Sequence, residues 1–299
     1  MYFIESKSLV DITDEFKKRL IRLAKTDDSI RGISSGFKKL DVITRGFLPS
    51  SLTIVGGVRG MGKTSFAVSL VKKMAIENRQ ATAFFSLKWT SEQFIRTILC
   101  QQTNIDSTKL RLGLLNENEK KLVHTQMEQI KTAPLEFFDH PFLTVADIEE
   151  VLLCRPPDCL PEIVVIDSLQ LLAKNKKDKV GKILNKKELT DLTFQLKELA
   201  KKHQIAIVLT TTIQAQSIKK GDQRSNLSNV KNYAPIANYA DLILLLYRPE
   251  YYKIDEWDDD DETPANGEGE IIIAKNANGI LDSIRVKFNG AKSEFDDLQ

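Results

Sequence analysis

The sequence has too few cysteines for a disulfide framework and no apolar run long enough to cross a membrane. Its three cysteines are Cys100, Cys154 and Cys159, and its three histidines are scattered, so Cys154 and Cys159 have no second ligand pair at metal-binding spacing. A membrane-spanning helix needs roughly 20 consecutive apolar residues, and the first residues lack the apolar core of a secretory signal. These absences favour free thiols and a cytoplasmic location, with no membrane partner.

A large excess of either charge is also missing. The 43 basic and 41 acidic side chains give a net charge of +2, so the total charge does not demand a nucleic-acid partner. Charge is nevertheless concentrated in two segments. The segment from Lys174 to Lys187 holds seven lysines and one acid, and the segment from Asp255 to Glu262 holds seven acids. Both are most simply solvated loops, although the basic one could instead follow a phosphate backbone.

The sequence does contain a complete phosphate-binding loop. It matches the pattern G-x-x-x-x-G-K-[ST] and reads Gly57, Val58, Arg59, Gly60, Met61, Gly62, Lys63 and Thr64, followed by Ser65. Glycines let backbone N–H groups curl around phosphates, and the N-terminus of the following helix adds a favourable field. In such a loop Lys63 reaches the β- and γ-phosphates and Thr64 holds Mg²⁺. The sequence therefore predicts a binding site for a nucleoside triphosphate.

From Leu52 onward, apolar runs that predict strands alternate with segments whose periodicity predicts helices. The predicted strands are Leu52–Val55, Ala81–Ser86, Glu136–Phe138, Ile163–Ile166, Ile205–Thr210, Leu242–Leu246, Glu270–Ala274 and Ile284–Phe288. The predicted helices are Lys63–Glu77, Ser91–Thr103, Glu117–Lys131, Val145–Leu153 and Lys186–Lys202. Continuous Ile/Val/Leu strands are typical of a sheet covered on both faces. We expect an α/β fold with a mostly parallel, twisted, doubly wound sheet and an antiparallel C-terminal extension.

One predicted strand ends in an acid. The run from Glu162 to Asp167 places a carboxylate at the carboxyl end of a buried strand, where parallel α/β sheets bind their ligands. Together with the phosphate loop about 100 residues upstream, Asp167 is expected to support Mg²⁺.

An amphipathic helix is predicted before this alternating pattern. Apolar residues from Asp11 to Thr26 fall on one face and basic residues fill much of the other. We divide the chain into this helix with its lead-in, residues 1–31, and one domain that carries the phosphate loop, residues 32–299.

Several ordered segments resemble the ATPase domain of DnaB-type replicative DNA helicases. They are Gly32–Asp41, Thr44–Pro49, Phe85–Leu87, Asn104–Asp106, Lys109–Gly113, Ile166–Leu171, Ala240–Tyr252 and Ile271–Gly279. The resemblance runs from about residue 10 to the end. It implies a RecA-like P-loop core and a ring, usually hexameric, with ATP between subunits and single-stranded DNA in the channel. It also implies that the helix before Gly32 docks on a neighbouring subunit. The family's N-terminal domain, which contacts primase, is not expected in this sequence.

The resemblance fails at catalytic positions. The family carries a glutamate that deprotonates the attacking water, and Lys88 stands there. The family's arginine finger, which reaches the neighbour's γ-phosphate, is replaced by Ala277. Its sensor glutamine is replaced by Thr212, with Gln214 close enough to compensate after a local shift.

The resemblance also suggests further contacts. Arg96 and Lys275 fall where family members contact nucleotide, and Lys231, Asn232 and Ala234 fall in the DNA-contacting loop. Together these residues indicate a chain that binds Mg-ATP, with weak or no hydrolysis, as a nucleotide-dependent structural or regulatory protein of DNA replication. Its expected partners are single-stranded DNA, further copies in a ring, or a true replicative helicase. The alternative is an active ATP-driven helicase that translocates on single-stranded DNA. A weaker third reading is a single-strand DNA-binding module that needs no nucleotide.

Overall fold

The architecture is a nine-stranded sheet with helices on both faces, seen in a computed structural model. The structure describes residues 8–10, 13–14, 17, 31–156, 159–174, 184–213, 234–258 and 263–298. Nearly all of the predicted N-terminal helix lies outside these residues. So do Gln214, Lys231, Asn232 and parts of both charged segments.

The strand order is β3-β2-β4-β5-β1-β6-β7-β8-β9. The strands are β1 (Leu52–Gly57), β2 (Thr82–Ser86), β3 (Leu135–Phe138), β4 (Ile163–Asp167), β5 (Ala206–Thr212), β6 (Leu242–Tyr247), β7 (Glu268–Asn276), β8 (Ser283–Asn289) and β9 (Glu294–Asp297). The six strands from β3 to β6 pair in parallel, and β7, β8 and β9 add antiparallel pairs. All eight predicted strands and the antiparallel extension are confirmed; β9 was not predicted.

The helices follow the predicted alternation. They are α1 (Lys38–Thr44), α2 (Lys63–Val71), α3 (Ser91–Thr103), α4 (Ser107–Leu112), α5 (Glu117–Lys131), α6 (Val145–Leu153), α7 (Lys186–His203) and α8 (Ala234–Tyr239). A π-helical segment, Lys72–Glu77, extends α2 to its predicted end. Four of the five predicted helices begin with a side-chain cap on the first turn, because Thr90, Asn116, Thr144 and Asn185 each accept a backbone N–H. Three short helices, α1, α4 and α8, were not predicted.

The sheet separates two hydrophobic cores. Consecutive strand residues point to opposite faces, so Val165 joins the core beneath α2 and α3 while Val164 joins the core beneath α6 and α7. Phe66 and Leu192 are fully buried in these two cores, one on each side. The continuous apolar strands are thus explained by burial on both faces. No helix among the described residues is long and apolar enough to span a membrane.

The parallel strands bring several loops to one edge. β1 lies between β5 and β6, with Gly57 opposite Thr212. β4 lies between β5 and β2, with Asp167 opposite Ser86. The carboxyl ends of β1, β2, β4, β5 and β6 therefore meet at the same edge of the sheet, which is where open α/β sheets bind ligands.

Candidate phosphate-binding site

The phosphate loop connects β1 to α2 and depends on two glycines with left-handed backbone. Gly60 has φ of 94° and Gly62, the N-cap of α2, has φ of 81°. A Cβ atom on Gly60 would lie 2.3 Å from the ring of Tyr251, and one on Gly62 would lie 2.9 Å from the ring of Phe295. Glycine is therefore required here by backbone conformation and by space. Gly57 ends β1, and Val58 and Met61 are buried behind the loop.

The loop opens onto a cleft of about 430 Å³. Nine of the residues that the sequence assigned to the site or to its lost catalytic positions line this cleft: Arg59, Gly60, Gly62, Lys63, Thr64, Ser65, Lys88, Asp167 and Thr212. The structure thus brings together the phosphate loop, the acid that ends β4 and the residue that follows β2.

Lys63 begins α2, and its side chain reaches back to the phosphate loop. Its ammonium donates a hydrogen bond to the carbonyl of Val58 at 2.8 Å. Burial, together with the nearby Lys88, lowers the pKa of Lys63 to about 8, and Asp167 opposes this shift. A change of this size corresponds to roughly 3 kcal/mol of unfavourable interaction for the charged form. A bound anion would remove that cost by supplying the missing countercharge.

Asp167 has one oxygen with no protein partner. It is 1% exposed, and its Oδ1 accepts a hydrogen bond from the Thr210 hydroxyl. Its Oδ2 is buried without a hydrogen-bond partner among the described residues. An unpaired buried carboxylate oxygen and the Thr64 hydroxyl, on two residues that line one cleft, are oxygen donors of the kind that suit Mg²⁺. The residues present therefore fit the metal that the phosphate-loop pattern implies, with Thr64 and Asp167 holding it.

Lys88, which the resemblance aligns with the family's catalytic glutamate, lies in the cleft. Its ammonium lies 3.4 Å from the Thr64 hydroxyl oxygen. Its position is held by a tight turn, because the Ser86 hydroxyl bonds both the carbonyl and the N–H of Trp89, at 2.8 and 3.0 Å. In addition, the N–H of Leu87 donates to the Asp167 carbonyl at 2.9 Å. The register that places Lys88 in the cleft is thus fixed on both sides.

The cleft holds one acidic side chain. Among the described residues that line it, Asp167 is the sole carboxylate, whereas Arg59, Lys63, Lys88 and Arg248 are cationic. The nearest alternative in sequence, Glu92, pairs instead with Arg96 at 2.9 Å on the exposed face of α3. The walls of the cleft therefore attract anions, and the described residues offer no second acid there that could accept a proton from water.

Thr212 reaches the cleft from the end of β5. Its carbonyl accepts a hydrogen bond from the Gln170 amide at 3.2 Å, and the same amide donates to the Thr211 hydroxyl at 2.7 Å. Gln170 follows Asp167 and therefore links the end of β4 to the end of β5. A glutamine thus supports this wall of the cleft, although it is not at the position where the family's sensor was expected.

Arg248 is a site residue that the sequence analysis missed. Its guanidinium carbon lies 3.6 Å from the centre of the Phe288 ring, and its Nη1 donates to the Gly60 carbonyl at 3.1 Å. Burial lowers the pKa of Arg248 below its usual range. The available signal was topological: β6 neighbours β1, so the residues after β6, Arg248 and Tyr251, must meet the phosphate loop.

Lys275 and Ala277 are not brought into this cleft. β7 runs antiparallel to β6, so Lys275 pairs with Ile243 near the start of β6, at the opposite edge of the sheet. The Lys275 ammonium donates to the Ala237 carbonyl at 2.9 Å, and the Ala277 N–H donates to the Asp241 carbonyl at 2.9 Å. Within one chain these positions cannot contact the nucleotide that the cleft would hold.

The remaining sequence-predicted residues lie elsewhere. Arg96, paired with Glu92, lines a separate apolar groove between α3, α4 and α5 rather than the phosphate cleft. Ala234 begins α8, while Lys231 and Asn232 lie outside the described residues. Cys100 is buried, and Cys154 and Cys159 are exposed free thiols.

Comparison with known proteins supports the resemblance to DnaB-type helicases. The family described as "DnaB-like helicase C terminal domain" matches residues 32–297. The chain is 27% identical over 293 residues to the replicative DNA helicase DnaB of Geobacillus stearothermophilus, covering 98% of this chain and 62% of the relative. It is 31% identical over 307 residues to DnaB of Rickettsia bellii, covering 93% of this chain and 60% of the relative. It therefore spans about three fifths of these relatives.

The fold agrees with solved structures. A solved ATPase domain superposes with a TM-score of 0.84 at 22% identity, covering 99% of this chain and 100% of that one. The prediction of a RecA-like fold is thereby confirmed. The phosphate loop, the acid at the end of β4 and the family match over residues 32–297 lead to one conclusion. This chain belongs to the DnaB-like helicase C-terminal domain family.

Proposed function

We propose that this chain binds Mg-ATP in the phosphate cleft, hydrolyses it weakly or not at all, and acts as a nucleotide-dependent structural or regulatory protein of DNA replication. Its relatives are named replicative DNA helicases, which supports a role in DNA replication. The geometry of the phosphate loop, Lys63 and Asp167 supports nucleotide binding.

The observation that carries the proposal is the placement of Lys88. A charged lysine cannot accept a proton from water, and its ammonium lies beside the phosphate-loop hydroxyl of Thr64. Loss of a general base lowers a reaction rate by roughly 10²–10⁴. Because no second carboxylate lines the cleft within the described part of the chain, no neighbouring acid there could replace it.

Ala277 adds a second loss. Its position at the edge opposite the phosphate loop means that it could act only on a nucleotide bound to another copy. An alanine there supplies no cation to the developing charge, and the loss of an arginine finger lowers turnover by roughly 10³–10⁵. The two losses do not simply multiply, since groups that act as a unit are non-additive.

Assembly and partners belong to the same proposal. Family members form rings around single-stranded DNA, so we propose either a ring of this chain or its association with a true replicative helicase. Either assembly would let nucleotide bound in the intact cleft stabilise an interface, even where turnover is slow. A nucleotide-dependent change in mass, measured by light scattering, tests this part.

The decisive experiment measures ATP affinity and ATP turnover on one purified sample, with and without single-stranded DNA. We expect saturable Mg-ATP binding and turnover no more than about 1% of that of an active relative, as loss of a general base predicts. Lys63→Ala is the control for site-specific binding, because it removes the central phosphate contact. An exposed lysine on α5, changed in Lys121→Ala, is the matched control that should bind ATP normally.

The alternative function is an active ATP-driven helicase. The intact donor pair of Thr64 and Asp167, with Gln170 bridging the ends of β4 and β5, favours it. It predicts turnover that single-stranded DNA stimulates and that disappears in Lys63→Ala. Turnover of that kind, within about tenfold of an active relative, would remove the main proposal.

A further inference from the structure

The Lys88 ammonium lies next to the hydroxyl that would hold the metal. The Lys88 ammonium lies 3.4 Å from the Thr64 oxygen. A magnesium ion sits about 2.1 Å from each of its oxygen ligands, so an ion on Thr64 would lie within about 5.5 Å of the Lys88 nitrogen. Like charges at this separation repel one another.

The charge of the cleft already suits a triphosphate without a metal. Lys63 and Lys88 both lie in the cleft with Asp167, and Arg59 and Arg248 also line it. An ordinary phosphate loop has one lysine and relies on the divalent ion to neutralise the β- and γ-oxygens. Here a second ammonium occupies the neighbourhood of that ion and can donate hydrogen bonds to the same oxygens.

We propose that Lys88 takes over the charge-neutralising role of the divalent ion, so that this cleft binds a nucleoside triphosphate with or without Mg²⁺. The inference rests on the proposed function, since it concerns the same cleft. The donor set of Thr64 and Asp167 still fits a metal, and the ion is therefore optional for binding rather than excluded. Lys88 would thus be a residue that sets the metal requirement of the site.

The test is a calorimetric titration of the full chain with ATP, once with Mg²⁺ in excess and once with EDTA. We expect the two affinities of the unmodified chain to differ by less than about threefold. Lys88→Glu, which restores the family's residue, should bind Mg-ATP but lose at least about tenfold in affinity when the metal is removed. Lys88→Met, which removes the charge with little change in volume, should also acquire a metal requirement.

Controls separate this idea from a general effect of charge or folding. Lys121→Met removes one exposed lysine on α5 and should behave like the unmodified chain in both buffers. Thermal unfolding of each variant verifies that it is folded. Bound Mn²⁺, followed by its electron paramagnetic resonance signal in the ATP complex, gives a second readout; Lys88→Glu should retain more manganese than the unmodified chain.

The outcomes are distinct. If the unmodified chain binds ATP with Mg²⁺ but loses more than about tenfold in EDTA, the inference is wrong while the proposed binding function stands. If Lys88→Met shows the same small metal dependence as the unmodified chain, Lys88 is not the cause and the inference is also wrong. Absence of ATP binding in both buffers would overturn the proposed function and this inference together.

Discussion

The two walls of the phosphate cleft present different functional groups. The wall formed by β1, the phosphate loop and Asp167 presents the groups that we propose bind a triphosphate and its metal: two left-handed glycines, a half-buried lysine and an unpaired carboxylate oxygen. The wall that follows β2 presents Lys88, where the family has a base. The position that would complete a neighbouring copy's site, Ala277, carries no charge.

This difference shows that binding and chemistry are built from separate elements. The binding wall adjoins the core, because Gly62 packs against the buried ring of Phe295, so a side chain there would disturb the fold. Lys88 lies in a short turn after β2 and can change without altering either core. Under the proposed function, a substitution in an exposed turn would lower turnover while the nucleotide site stays intact.

The largest expected effect comes from restoring the missing chemistry. Lys88→Glu combined with Ala277→Arg should raise ATP turnover by about 10³-fold or more, because a base and a finger each contribute on this scale. A coupled ATPase assay on the assembled protein, with single-stranded DNA present, measures the gain. The single variants are the controls and should each give less than the double variant. No gain in the double variant, with binding intact, would show that the loss lies elsewhere.

A smaller effect concerns the stability of the nucleotide-free chain. Lys63→Met should raise the free energy of unfolding at pH 7 by up to about 3 kcal/mol, since the folded pKa of about 8 lies below the unfolded value. The sign follows from proton binding: the unfolded chain binds more protons between pH 8 and about 10.5, so the cost is complete below pH 8 and fades as the pH rises through this window. The same variant should lose ATP binding.

Urea unfolding of Lys63→Met and of the unmodified chain at pH 7 and pH 10 measures this difference. Lys121→Met, on an exposed helix face, is the matched control and should be neutral at both values. Equal stabilities of Lys63→Met and the unmodified chain at pH 7 would argue against a desolvation cost for the Lys63 ammonium.

A third change tests the support of the metal donor. Thr210→Val removes the hydroxyl that donates to Asp167 Oδ1. Since Oδ2 already lacks a partner among the described residues, both oxygens of the buried carboxylate would then be without this support. We expect a loss of about 1–3 kcal/mol in the free energy of unfolding, and weaker Mn²⁺ retention in the ATP complex. Thr193→Val is the matched control, because its buried hydroxyl bonds only the Leu189 carbonyl of its own helix. Similar losses in both variants would deny Thr210 any special role.

The smallest expected effect is at the opposite edge of the sheet. Lys275→Met should change the ATP affinity of the isolated chain by less than about twofold, because Lys275 bonds Ala237 far from the phosphate loop. Titrations at low and high protein concentration check this. A loss of affinity that appears only at high concentration would show that Lys275 reaches the nucleotide of a second copy.

Most of the fold could be predicted because strands of this class are continuous apolar runs. β9 was missed because Glu294–Asp297 holds one apolar residue, Phe295, whose burial depends on a distant contact with Gly62. The short helices α1, α4 and α8 were missed because six or seven residues carry little periodicity.

The site residues that lie within one stretch of sequence could be predicted. Those that the order of the strands brings to the cleft could not. The phosphate loop and the Lys88 turn are each a single stretch, so their register could be fixed from neighbouring residues. Arg248 lines the cleft because β6 lies next to β1. Arg96 lies outside the cleft, where it pairs with Glu92 on α3. Neither placement can be predicted from the residues that neighbour Arg248 or Arg96 in the sequence.

The most direct test of the central claim is ATP binding and ATP hydrolysis measured on the same purified sample, with and without single-stranded DNA. We predict saturable binding that Lys63→Ala abolishes, with turnover that stays near background when DNA is added. Robust turnover that DNA stimulates would contradict it, and would show that the cleft beside Lys88 is a working ATPase site.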